Sequence, residues 1–220
     1  MKVIVIGGGT SGLMASVSAA MHGAEVVLLE KNPTLGKKLL HTGGTRCNVT
    51  NRRTPEEIVK NITGNGRFLY SAFSQFDNQD IIQFFESRGV RLKEEDHGRM
   101  FPVTDSAKTI LETFIQEIKK LGVHVRTNVK VKTIRVSDGA VRVVELDNGE
   151  QLEADAVIGD AVLREVVGAD ALTSVHGAHL AATRFSGLGG GLGRPLGQQP
   201  GPQNAQGGLL VLQLRLLVLH

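Results

Sequence analysis

A short apolar run that breaks directly into glycines constrains this chain more than any other feature. Val3-Ile4-Val5-Ile6 is followed by Gly7-Gly8-Gly9-Thr10-Ser11-Gly12. Four consecutive branched aliphatic residues suit a strand buried on both faces, as in a parallel sheet. From Ser11 to His22, small and apolar residues recur at helical spacing, and Gly23 supplies a stop. Glu25-Val26-Val27-Leu28-Leu29-Glu30 reads as a second strand. Strand, glycine turn, helix and strand in succession make a βαβ unit, whose crossover is expected to be right-handed.

The glycines of the turn have separate duties. In Gly7-x-Gly9-x-x-Gly12, one allows the tight turn and the next lets main chain approach a pyrophosphate. The third lets helix and strand pack closely. The amides of Thr10 and Ser11 would then face phosphates at the helix start, where the dipole favours negative charge. Glu30 closes the second strand, 18 residues after Gly12. Its carboxylate can accept hydrogen bonds from both ribose hydroxyls of an adenosine. It would repel a 2′-phosphate, so NADP is disfavoured at this position. The pattern predicts a dinucleotide site and by itself leaves FAD and NAD open.

A second dense segment follows, Gly36-Lys37-Lys38-Leu39-Leu40-His41-Thr42-Gly43-Gly44-Thr45-Arg46-Cys47-Asn48-Val49-Thr50-Asn51. Its glycines let main chain lie against a flat ring or a phosphate. Lys38 and Arg46 could neutralise a pyrophosphate or an anionic flavin. A polar surface loop is the plain alternative. Further along, Thr54-Pro55-Glu56-Glu57 carries the marks of a helix start. Helices are expected around 68–76, from about Asn78 to Arg88, and from Ser106 to Leu121. In the last of these, Ile110, Leu111, Phe114, Ile115, Ile118 and Leu121 should share one side. Strands are expected near 90–94, 99–103, 123–127, 129–136 and 141–146. Asp138-Gly139 and Asn148-Gly149 are hairpin turn signals. The segment 154–158 should return to the parallel sheet.

These motifs together resemble a known family. GGGTSGLMAS, LLEKNPTLGKKLL, TGGTRCNVTN and GRMFPVTDSAKTILETF are similar to blocks of bacterial FAD-dependent flavoproteins, of the aminoacetone oxidase-like or NAD(P)/FAD-dependent oxidoreductase kind. The resemblance covers about residues 1–158. It implies an α/β fold: a Rossmann-like FAD-binding domain of the glutathione-reductase type, parallel sheet plus β-meander. It also implies a substrate domain inserted later in a chain of about twice this length. FAD is the implied cofactor, with NAD(P)H as a candidate electron donor. Carried over by position, Gly7, Gly9, Thr10, Ser11 and Gly12 would hold the pyrophosphate. Glu30 would take the adenosine ribose, with Lys31 beside it. Lys38, Gly43, Gly44, Arg46, Cys47 and Asn48 would lie toward the flavin end. Val131 would hold the adenine edge by main chain.

Two departures from the family stand out. Thr45 occupies a position where the family usually has a third glycine, and its Cβ would crowd the backbone at positive φ. After Ala156-Val157-Ile158 the expected Ala-Thr-Gly-Gly turn is replaced by Gly159-Asp160-Ala161-Val162. Composition changes at the same place. Residues 1–158 hold all eleven lysines and all eleven isoleucines of the chain. The FAD domain is therefore expected to be incomplete, spanning 1–158. Residues 159–220 should form a divergent Gly/Leu/Gln-rich tail of low order. Non-native coding beyond residue 158 would explain the break, and a genuine divergent tail is the alternative.

Composition excludes several other classes. One cysteine rules out an internal disulfide framework and a cysteine-based zinc site. Twenty-five bases against 22 acids give a net charge of only +3, and there is no tryptophan, which argues against a dedicated nucleic-acid binder. No apolar run reaches a membrane-spanning length, and the short run at the start does not read as a secretion signal. The expected setting is the cytoplasm, with a small-molecule substrate of unknown identity. His41, His97, the acidic run Glu94-Glu95-Asp96 and the pair Arg52-Arg53 read as structural or surface groups. No metal site and no catalytic residue can be assigned. The chain reads as an oxidoreductase by its parent family, with a nucleotide-binding remnant without turnover and a FAD-dependent RNA-modifying protein as alternatives.

Overall fold

The computed structural model describes residues 1–63, 65–137 and 140–159. The first half contains β1 (Lys2–Ile6), α1 (Thr10–Met21), β2 (Glu25–Leu29), β3 (Thr50–Asn51), α2 (Pro55–Lys60), α3 (Tyr70–Phe73) and α4 (Asn78–Glu86). The second half contains β4 (Leu92–Glu95), β5 (Arg99–Pro102), α5 (Ala107–Lys120), β6 (His124–Arg126), β7 (Val131–Ser137), β8 (Ala140–Leu146), β9 (Gln151–Glu153) and β10 (Ala156–Gly159). The order expected for residues 160–220 and the turn at Asp138-Gly139 lie outside the described residues.

The organising element is a four-stranded sheet of order β10-β1-β2-β6, parallel throughout. The apolar runs of β1 and β2 lack polar alternation because both faces are covered. Val3, Val5, Val26 and Leu28 face one core, with Leu13, Met14 and Val17 of α1 and Ile110, Phe114 and Ile118 of α5. Ile4, Val27 and Leu29 face the other, with Val131, Ile134, Val144 and Leu146. That second layer is an antiparallel meander of order β7-β8-β9. Parallel sheet plus meander is the α/β architecture expected from sequence. β10 does return to the sheet beside β1, with Val5 opposite Ile158. Asp155 locks the return: its main-chain N–H donates to the Lys2 carbonyl, and its carboxylate accepts from the Lys2 N–H at 2.7 Å.

A third sheet, β3-β5-β4, is antiparallel and stands beside the helices. α2 starts as its sequence predicts. Thr54 accepts from the Glu57 N–H and the Glu57 carboxylate accepts from the Thr54 N–H. The helix expected around 68–76 is shorter, a 3₁₀ turn at Gly66–Leu69 followed by α3. One expectation for α5 fails: Ile115 is 39% exposed. The buried arc of α5 runs through Ala107, Ile110, Leu111, Thr113, Phe114, Glu117 and Ile118. At 100° per residue, Ile115 lies about 120° from the middle of that arc. Thr113 and Glu117 take the buried positions because each has a partner. The Thr113 hydroxyl donates to the Thr109 carbonyl, and Glu117 accepts from Arg88. No described helix is long and apolar enough to cross a membrane.

Candidate functional site

The start of α1 is an uncapped helix N-terminus. Gly9 stands at the cap, no side chain closes it, and no acid sits in the first turn. Both α2 and α4, by contrast, are closed by side-chain capping boxes. The first amides of α1 have no partner within the helix, and the dipole adds partial positive charge at the same end. Thr10 and Ser11 are exposed there. A Cβ placed on Gly9 would meet no protein atom within 4 Å, so open space lies before the helix. A Cβ on Gly12 would collide with the Gly7 carbonyl, so only glycine permits this helix to pack against β1.

Glu30 is buried at 7% exposure directly behind the turn. Its Oε2 accepts from the Gly8 N–H at 2.6 Å. Its Oε1 accepts from the main-chain N–H of Asn32 at 2.7 Å and from Asn32 Nδ2 at 2.6 Å. Three donors fix the carboxylate without a cation among them; two of them fill Oε1, and Oε2 keeps one acceptor site for a further hydroxyl. Lys31 is exposed beside it. Val131 is buried at the start of β7, in the core layer shared with Leu29. The main chain reaches from β2 to this point, since the Val129 N–H donates to the Glu30 carbonyl at 3.0 Å.

The second glycine segment folds back onto the first. The Gly36 N–H donates to the Gly8 carbonyl at 2.8 Å. Lys38 is exposed and precedes a 3₁₀ turn at Leu39–His41. The chain then enters a run of left-handed residues: Gly43 at φ 59°, Gly44 at 66°, Thr45 at 72° and Cys47 at 63°. For an L-residue with a Cβ, this conformation costs about 1–2 kcal/mol. The crowding expected at Thr45 is therefore real. Thr42, Cys47 and Asn48 join Thr10 and Ser11 around a cleft of about 220 Å³, floored by Met14, Leu39, Phe85, Ile110 and Phe114. Burial pushes the Cys47 thiol up to about 11, so it is neutral at physiological pH.

Arg46 points into a charged cluster. Its Nε and Nη2 donate to Asp105 Oδ1 at 2.9 and 2.6 Å, and Nη2 also pairs with Glu95. Lys93 completes the cluster, 2.7 Å from Asp105 and 3.3 Å from Glu95. The guanidinium lies 4.4 Å from the Phe101 ring centroid. These bonds hold the carboxyls of Glu95 and Asp105 below their usual range, Glu95 chiefly through Arg46 and Asp105 chiefly through Lys93.

Sequence reasoning did not single out Gly8, Asn32, Glu95 or Asp105. Gly8 lies inside the glycine motif and Asn32 two residues after Glu30, and those positions are the available signal. Glu95 lies in the acidic run Glu94-Glu95-Asp96, which by sequence marks only a solvated face. Among the described residues, no group of three metal-ligating side chains is assembled.

The model of the HI0933-like protein Rossmann domain matches residues 1–164, about three quarters of the chain. The chain belongs to this HI0933-like Rossmann family. It is 32% identical over 159 residues to a 3-dehydro-bile acid delta(4,6)-reductase of Clostridium scindens, covering 71% of this chain and 38% of that one. It is 31% identical over 131 residues to a ribosomal RNA dihydrouridine synthase of Escherichia coli K12, covering 60% and 32%. The chain thus spans 38% and 32% of the length of these curated relatives. Among solved structures it is similar to a 3-ketosteroid-delta4-(5alpha)-dehydrogenase of Rhodococcus jostii RHA1, with TM-score 0.56, 17% identity, and 72% and 45% of the two chains covered. A flavocytochrome c3 fumarate reductase gives TM-score 0.52 at 23% identity, covering 72% and 33%. These two likenesses show that the chain shares their α/β fold.

Proposed function

We propose that this chain is the FAD-binding portion of a flavin-dependent oxidoreductase that reduces a small organic substrate. The observation that carries the reading is the Glu30 carboxylate, buried and fixed by three donors beside an uncapped helix start. The open space before Gly9 fits a pyrophosphate, and the remaining acceptor site on Glu30 Oε2 fits a ribose hydroxyl. Gly7, Gly9, Thr10, Ser11 and Gly12 would hold the phosphates. Glu30 would hold the ribose with Lys31 near it, and main chain at Val131 would meet the adenine. Lys38, Gly43, Gly44, Cys47 and Asn48 would line the way toward the flavin. Bound FAD supplies two-electron transfer as hydride.

The reaction class we favour is reduction of an electron-poor carbon–carbon double bond, with hydride delivered to one carbon and a proton from solvent to the other. Two relatives, the bile-acid reductase and the dihydrouridine synthase, carry names that denote saturation of such a bond. Oxidation of a small amine, the aminoacetone oxidase-like reading, is the alternative. Substrate is read as small rather than RNA because bases and acids nearly balance and aromatic residues are only 4% of the chain. A reduced nicotinamide nucleotide is the proposed electron donor. The test is titration of the purified full chain with FAD, NAD and NADP, read by flavin fluorescence and by thermal shift. FAD alone should bind at micromolar level, and Glu30→Gln should weaken it at least tenfold. Absence of FAD binding, or equal binding by Glu30→Gln, overturns the proposal. Binding of ribosomal RNA that weakens steeply with salt would favour the RNA reading.

A further inference from the structure

The segment at 43–47 is strained and yet held, and the groups that hold it are not the ones sequence suggests. Thr45 and Cys47 both carry side chains at positive φ, and Arg46 stands between them. Three fixings converge on this short stretch. On the inner side, Cys47 is buried at 3% exposure in the main core. Along the chain, the Thr45 carbonyl accepts from the Ala107 N–H at 2.8 Å, at the first residue of α5. The Ser106 side chain makes no capping bond there, so the strained turn itself closes the helix start. On the outer side, Arg46 is forked onto Asp105 and paired with Glu95. Asp105 has left-handed backbone of its own at φ 50°, two residues before α5.

The charge arithmetic of the cluster matters. Two cations, Arg46 and Lys93, face two acids, Glu95 and Asp105. A guanidinium already balanced in this way offers an approaching phosphate little net attraction. Its fork geometry instead ties three separate pieces of chain together: the 43–47 turn, the end of β4 and the approach to α5.

We propose that Arg46 is a positioning residue. With Asp105, Glu95 and Lys93 it latches the left-handed turn in the conformation that forms one wall of the cofactor cleft, and it is not itself a ligand of the cofactor phosphates. This rests on the FAD reading above, and its test separates the two. Asp105→Asn removes an acid. If Arg46 contacted an anion directly, freeing it from Asp105 would tighten FAD binding. If Arg46 is a latch, the same change loosens the turn and weakens binding.

The ligand-free readout is Cys47, the single cysteine of the chain. Its labelling rate with a disulfide reagent reports opening of the turn with no cofactor present. In the full chain, Asp105→Asn should raise that rate at least tenfold and weaken FAD binding about tenfold. Adding Thr45→Gly, which removes the left-handed strain at one position, should restore most of both. Glu95→Gln should act in the same direction, and it serves if Asp105→Asn does not fold by circular dichroism. Unchanged labelling, tighter FAD binding, or no restoration by Thr45→Gly would each overturn the latch. If the parent chain binds no FAD at all, the functional reading fails, while the labelling rates still decide the latch.

Discussion

Thr45 shows at a single residue how local strain is kept for the sake of a site. It is exposed, so its side chain contributes little packing, yet its φ of 72° suits glycine. Thr45→Gly removes the Cβ penalty and adds some entropy to the unfolded chain, which opposes it. The net expectation is stabilisation of about 0.5–1 kcal/mol, visible as a rise of a few degrees in the melting temperature. An unchanged or lower melting temperature would show that the turn is not strained at this position. Gly12 is the opposite case. A side chain there meets main chain, which cannot move aside. Gly12→Ala is expected to cost about 1–3 kcal/mol and to abolish nucleotide binding, checked by urea denaturation and FAD titration.

At the scale of elements, α4 and α5 are joined by a largely buried pair. Arg88 Nε donates to Glu117 Oε2 at 2.6 Å, and its guanidinium lies 3.9 Å from the Phe84 centroid. The Phe84, Phe85 and Phe114 rings pack against one another, edge to face or tilted. Glu117→Ala would leave Arg88 without its carboxylate and is expected to cost about 2–3 kcal/mol. Replacing both, as Arg88→Met with Glu117→Leu, should come within about 1 kcal/mol of the parent in urea denaturation. The cluster at Arg46 has a pH signature. Glu95 and Asp105 have folded-state pKa values below their ordinary ones. Their contribution is therefore complete at neutral pH and is lost as pH falls through those lowered values, below about pH 4. The stability gap between the parent and Asp105→Asn should be constant from pH 6 to 8 and close below that point. A gap unchanged at pH 3 would remove the ionic basis of the cluster.

Across the whole molecule, one sheet serves two cores. Its helical face is built from α1, α4 and α5, and its other face is closed by the meander. Leu146 is fully buried in the second core with Ile4 and Leu29. Leu146→Ala is expected to cost about 2–4 kcal/mol. Because both cores share β1 and β2, the loss should appear as one lowered transition by circular dichroism and by Cys47 exposure alike. Two separated transitions would mean that the meander folds independently of the sheet.

The amino-acid sequence alone determined the βαβ start, the duty of Gly12, the capped start of α2 and the return of the 154–158 segment to the sheet. Each is written in residues a few positions apart, or in runs whose burial leaves no polar alternation. The position of Glu30 behind the turn was legible for the same reason. Tertiary structure alone decided what Arg46 touches. Asp105 lies 59 positions away and Glu95 lies 49, and a basic residue in a glycine-rich loop carries no local mark of its acid partners. It also decided that Ile115 faces solvent, because the buried arc of α5 is set by where Arg88 and the sheet stand. Packing partners distant in sequence fix which apolar or charged residue is satisfied, and no periodicity within one element records them.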